Sequence, residues 1–121
     1  MSNAINWFEI PAADFNRAVK FYSEVLGAEL QSMKMGETDM AFFPSKENGV
    51  GGCVVYGNGQ QPNAQGTTVY LNGGDDLSTP LGRVEKAGGS VVVPKTSIGE
   101  NGFFAVFMDT EGNKVAFHSM N

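Results

Sequence analysis

An aspartate able to cap a helix and a glycine able to end one occur twice in this chain at one period. Asp14 and Asp76 stand 62 positions apart, and so do Gly27 and Gly89. The chain of 121 residues is close to twice that period. A repeat of this length signals a duplicated supersecondary unit. Such a unit cannot cover its own apolar face, so the two copies are expected to share one core.

The pattern within each copy agrees. Residues 5–10 are apolar and aromatic and run into Pro11, which reads as a strand. Trp7 and Glu9 share one of its faces, Phe8 and Ile10 the other. Asp14 then caps a helix over 15–26, with Phe15, Ala18, Val19, Tyr22 and Leu26 at helical spacing and Gly27 as its left-handed end. Strands are predicted over 28–35, 38–44 and 51–56. The second copy repeats the order: a strand over 67–71, a turn over 72–76, and a helix from Ser78 or Thr79 to 88. Its apolar stripe is Leu77, Leu81 and Val84, with Pro80 in the first turn. Strands at 90–94, 103–108 and 114–119 follow, the last two joined by a hairpin over 109–113. The chain therefore predicts one α+β domain of two βαβββ modules. Module one spans about 1–57, a glycine- and amide-rich connector 58–66, and module two 67–121.

Charge and composition remove several functions. The net charge is −5 and no run of Lys or Arg occurs, so neither nucleic acid nor an anionic membrane surface is an expected partner. No apolar stretch approaches the ~20 residues of a membrane span. The first residues have neither the basic segment nor the apolar core of a secretory signal. Cys53 is the single cysteine and has no internal disulfide partner, which points to the cytoplasm. The glycine runs at 51–52 and 57–59 are not phosphate loops, because no Lys-Ser/Thr ending or helix follows them. Nine Phe and six Met supply bulk for a core and for an adaptable pocket.

The stretch Asp14-Phe15-Asn16-Arg17-Ala18-Val19-Lys20-Phe21-Tyr22, followed by Val25-Leu26-Gly27, resembles the opening of the vicinal-oxygen-chelate superfamily. That superfamily includes glyoxalase I, bleomycin-resistance proteins and extradiol dioxygenases. Phe107-Met108-Asp109-Thr110-Glu111-Gly112-Asn113-Lys114-Val115 resembles its final hairpin, and 81–94 its second helix and following strand. The resemblance implies a curled mixed β-sheet cleft with the helices packed outside. In metal-dependent members the cleft carries His, Gln or Glu ligands to one divalent ion. Carried over residue by residue, those positions fall on Trp7, Thr68, Ala116 and the strand 52–56, which holds no His, Asp or Glu. The resemblance thus implies a member of the fold with no metal and no cofactor.

The predicted site lies on the cleft faces and is bordered by Trp7, Glu9, Cys53, Thr68, Tyr70, Ala116 and His118. Glu9 is a candidate acid or base if its surroundings are apolar, and a solvated carboxylate otherwise. His118, the only histidine, is a second candidate, or a solvated side chain near the C-terminus. The two pair only if the first and last strands approach. Cys53 has no neighbouring base and reads as a small buried apolar residue. Thr68 and Tyr70 can hydrogen-bond a ligand, and Trp7 reads as a pocket wall. Three functions stay open: a metal-free protein that binds a small, partly aromatic ligand; a glyoxalase-like lyase or isomerase using Glu9 and His118; and an interaction module whose cleft is filled by side chains. Open sheet edges, together with the resemblance, lead to the expectation of a homodimer.

Overall fold

The computed structural model describes residues 3–57 and 59–121; positions 1, 2 and 58, which carry part of the N-terminal and connector readings, lie outside the described residues. Module one is β1 (Trp7–Pro11), α1 (Phe15–Leu26), β2 (Gln31–Met35), β3 (Thr38–Phe42) and β4 (Gly51–Tyr56). Module two is β5 (Tyr70–Asn72), α2 (Ser78–Leu81), β6 (Ser90–Ser97), β7 (Phe103–Met108) and β8 (Lys114–Ser119), with a 3₁₀ turn at Gly99–Asn101. Each module folds into a four-stranded mixed sheet, ordered β1-β4-β3-β2 and β5-β8-β7-β6. The first strand of each is parallel to the last, and the other pairs are antiparallel. The two sheets have one topology and do not close into a barrel, so the α+β duplication is real.

α1 begins and ends where its spacing predicts. The Asp14 side chain accepts from the Arg17 amide at 3.1 Å, and Gly27 closes the helix with φ of 68°. A left-handed residue there costs little only without a Cβ. The buried stripe of α1 is Ala18, Phe21, Tyr22 and Val25. Phe21 reaches Phe107 of module two with ring centroids 6.1 Å apart. Tyr22 packs edge-on against Phe43 of module one at 5.3 Å. One helix thus joins both modules in a core that includes Ile10, Ala41, Val54, Leu71, Val115 and Phe117. Burying each large aromatic there contributes about 2–3 kcal/mol.

The second helix is shorter than the sequence pattern predicts. It stops at Leu81, and 82–88 form a run of tight turns. Arg83, Val84 and Gly88 donate to carbonyls three residues back, at Pro80, Leu81 and Glu85. Pro80 and Gly82 within five residues explain this, since one removes a donor and the other has the weakest helix propensity after proline. Leu77 and Val84 are nevertheless fully buried, so the apolar stripe survives without a regular helix. Asp76 accepts from the Ser78 amide at 2.8 Å and from Lys95 at 2.9 Å. The Lys95 ammonium and the Ser78 donors pull its carboxyl down to about 2. β1, β2 and β5 start two to three residues later than predicted. β6 runs on through Pro94 with two irregularities in its pairing, which an edge strand tolerates.

The modules are fastened by the hairpin between β7 and β8. Asp109 is buried and its carboxylate accepts four hydrogen bonds. These come from Tyr22 Oη at 2.7 Å, the Glu111 and Asn113 amides at 2.8 and 2.9 Å, and Asn113 Nδ2 at 2.9 Å. Burial and the Asp109 charge push the Tyr22 hydroxyl well above its usual range, so it stays a neutral donor. Asn113 Nδ2 also donates to the Pro11 carbonyl at 2.7 Å. Glu111 reaches across to α1, accepting from the Ala13 and Asp14 amides at 2.8 and 2.7 Å and from Arg17 Nε at 2.8 Å. Among the described residues no buried side-chain polar atom lacks a partner.

Burial alone would raise the Glu111 pKa, but the Arg17 guanidinium and the amides hold it below the ordinary 4.5. A carboxyl depressed in the folded state stabilises fully above its unfolded pKa, and that contribution is lost as pH falls through the folded value. Glu111→Gln, which sets an NH2 against Arg17, is expected to cost about 2–3 kcal/mol in urea unfolding at pH 7. The difference from the parent should shrink below about pH 4.

Candidate functional site

A wide opening lies at the seam between the modules. It is a groove of about 780 Å³, with β1 on one side and residues 67–72 on the other. Trp7, Phe8, Phe43 and Tyr70 give it aromatic walls, and Leu26 and Val50 add aliphatic surface. Thr67, Thr68, Asn72, Tyr70 and Trp7 are the lining residues with polar side-chain groups, and among the described residues no Asp, Glu, Lys, Arg or His lines it. A charged ligand group buried there would have no counterion and would be strongly disfavoured. Trp7 and Tyr70 remain 46% and 55% exposed. Such exposure leaves aromatic surface free for contact with a ligand.

The groove gathers Trp7, Thr68 and Tyr70 from among the sequence-predicted residues. The others lie elsewhere. Cys53 stands in register between Glu9 and Phe42, and Ala116 between Tyr70 and Val106; both are completely buried by these larger neighbours. Glu9 borders a smaller opening of about 160 Å³ with Gln61, Asn63, Gln65 and Lys114. Trp7 Nε1 donates to Glu9 Oε2 at 3.4 Å. His118 borders a third opening, beside Tyr70, Asn72 and Asp75, and its Nε2 lies 2.6 Å from the Asn101 carbonyl. A carbonyl only accepts, so that nitrogen carries the proton. β1 pairs with β4 and β8 with β5 and β7, so Glu9 and His118 belong to different sheets and different openings.

The strand faces are placed as the alternation suggests. Glu9 and Tyr70 are exposed, while Ile10 and Leu71 are in the core. The groove nevertheless reaches both faces, because it follows the edges of β1 and β5 rather than the middle of a sheet. Phe8, Val69 and Leu71 therefore line it from the face that alternation assigns to the core. Leu26, Phe43, Pro44 and Val50 were not legible as site residues. The one available signal was the Gly51-Gly52 pair, which falls opposite Trp7 and Phe8 in register.

The positions where related metal-dependent proteins carry ligands do not fit a divalent ion. Trp7 offers an indole, Thr68 a hydroxyl and Ala116 nothing. Among the described residues no group of three His, Cys, Asp or Glu side chains is close enough to hold a metal. Imidazole, carboxylate or thiolate donors converging from several strands are needed.

A duplicated βαβββ unit with a seam groove is the architecture of a small-molecule-handling superfamily. The chain belongs to the Glyoxalase/Bleomycin resistance protein/Dioxygenase superfamily, whose family model matches residues 4–117. It is 33% identical over 113 residues to a glyoxylase-like domain-containing protein of Didymella fabae, covering 90% of this chain and 88% of the other. The fold is similar to that of a glyoxalase/bleomycin resistance protein from Albidiferax ferrireducens T118, with a TM-score of 0.73 and 17% identity, over 98% of this chain and 100% of that one. It is also similar to TnmS3, an antibiotic binding protein from Streptomyces sp. CB03234, with a TM-score of 0.68 and 21% identity, over 100% and 99% of the two chains.

Burial, aided by the nearby Glu9 charge, raises the Cys53 thiol to about 11. Thiolate is the reactive form. The native protein is therefore expected to react with a disulfide reagent such as DTNB at pH 8 only after unfolding, releasing one equivalent in 6 M guanidinium. Stoichiometric release within seconds from native protein would contradict this burial.

Proposed function

We propose that this protein binds an uncharged, partly aromatic small molecule in the seam groove, without a metal. The observation that carries the reading is the groove itself, with four aromatic walls, a few neutral hydrogen-bonding groups and, among the described residues, no Asp, Glu, Lys, Arg or His. TnmS3, an antibiotic binding protein that shares the fold, supports the same class of function. A lyase or isomerase acting through Glu9 and His118 gains no support, since a paired acid and base must both reach one substrate. The single buried cysteine agrees with a reducing compartment, and the proposed location is the cytoplasm. Among the described residues no helix is long and apolar enough to cross a membrane.

N-Phenyl-1-naphthylamine is a suitable neutral probe, and Trp7, the single tryptophan, is a donor within the groove. Titration is expected to quench Trp7 by energy transfer with a Kd on the order of 10–100 μM. The sulfonated analogue 1-anilinonaphthalene-8-sulfonate should bind at least tenfold more weakly. Preference for the sulfonate, or no quenching by the neutral probe, would overturn the reading.

The proposal includes a homodimer. β2 is an edge strand exposed along its whole length, and it carries Met33 and Met35 at 47% and 59% exposure. The unpaired backbone edge and the two exposed methionines beside it invite pairing. Sedimentation velocity at micromolar concentration is expected to give twice the 12.9 kDa chain mass. Met35→Lys should shift the distribution toward monomer.

A further inference from the structure

β4 opens with two glycines, and each lies beneath an aromatic ring on a different face of the strand. Trp7 pairs with Gly51 and Phe8 with Gly52 in the parallel register of β1 and β4. A Cβ at Gly51 would stand 3.1 Å from Trp7 Cζ3 and 3.6 Å from Cε3. A Cβ at Gly52 would stand 2.4 Å from two carbons of the Phe8 ring, a distance that atoms do not tolerate. Both rings thus rest on bare backbone. Neither glycine has a positive φ, so turn geometry does not explain them. What explains them is close approach of a side chain, the other use of glycine in a strand.

Both seated rings also line the groove. Phe8 packs against Phe43, another wall of the groove, with ring centroids 5.3 Å apart. Trp7 packs against Phe42 at 6.1 Å. A Cβ at either glycine would displace the ring above it, and with it a wall of the groove. The indole, 46% exposed, keeps surface free for contact with a ligand.

We infer that Gly51 and Gly52 are the specificity-determining residues of this groove: they seat Trp7 and Phe8 against β4 and so hold open a slot for a flat, uncharged ring system. This rests on the binding function proposed above. A cage-shaped hydrocarbon of similar size stacks on neither ring and so gains nothing from these seats.

The test is a double-mutant cycle read in two ways. Gly52→Ala is expected to weaken N-phenyl-1-naphthylamine binding at least tenfold. In a Phe8→Leu background, where no ring covers position 52, the same change should alter binding less than twofold. The urea midpoint should show the same coupling, which does not depend on any ligand. Gly51→Ala, the milder clash, should raise the acrylamide quenching of Trp7 by half or more and weaken the probe about threefold. 1-Adamantanol should fail to displace the probe at equal concentration. Equal losses from Gly52→Ala in both backgrounds, or unchanged Trp7 quenching in Gly51→Ala, would remove the seats. Displacement by 1-adamantanol would remove the flat slot. If the parent protein does not bind the probe, the binding function fails, while quenching and the stability cycle still decide the seats. If Gly52→Ala does not fold alone but folds with Phe8→Leu, the seat at position 52 is supported.

Discussion

The arrangement of the molecule depends on two carboxylates placed in one hairpin of module two. Asp109 folds the hairpin on itself and holds the hydroxyl of Tyr22, which lies in the middle of α1. Glu111 receives the amides before α1 and the guanidinium of Arg17 within it. Both carboxylates are buried, and a buried charge is tolerable only when its oxygens are satisfied. Every donor they need lies within the hairpin or on the α1 side. The hairpin and α1 must therefore dock together or leave charge unpaired. This makes the orientation of the modules specific in a way that aromatic packing between Phe21 and Phe107 could not achieve alone.

The groove follows from that docking. Asn113 ties the hairpin to the Pro11 carbonyl and to the Asn63 amide. It thereby fixes the end of β1 against the connector leading into β5. Among the described residues the other end of β1 carries no comparable tie to module two. There the edges of β1 and β5 leave a seam walled by Trp7, Phe8 and Tyr70. The early end of α2 at Leu81 shows the same separation of roles, since Leu77 and Val84 still fill the core while the chain around them turns irregularly.

This chain has the superfamily's scaffold without metal donors at the positions that the resemblance assigns to them. An indole, a hydroxyl and a methyl group replace the side chains a divalent ion requires. Each also suits an apolar groove or a tightly packed sheet: Trp7 provides a flat wall, Thr68 a neutral hydrogen bond, and Ala116 space under Tyr70 and Val106. Fold and function separate in this way because the core uses one strand face and the edges and opposite face are free to vary.

Much of the fold is legible in the residues themselves. The cap at Asp14, the left-handed Gly27, the bounds of α1, and the strands at 51–56, 103–108 and 114–119 are local matters of side-chain hydrogen bonding, allowed φ and alternation. The repeat of order is visible for the same reason, since it is a pattern along the chain. The second helix is shorter than its apolar spacing predicts because Pro80 and Gly82 weaken the backbone ladder. The site was only half legible. Alternation identifies Trp7, Thr68 and Tyr70, but not that Glu9, His118 and the pair Cys53 and Ala116 belong to other places. Those positions depend on which strand edges meet and what covers each face, and such contacts join residues up to about a hundred positions apart, as between Ala13 and Glu111. The sequence by itself determined the modules, their caps and their buried faces, because those follow from interactions within a few residues. Only the tertiary structure decided where the groove lies and which side chains it brings together, because a seam between two units exists only once both have folded and docked.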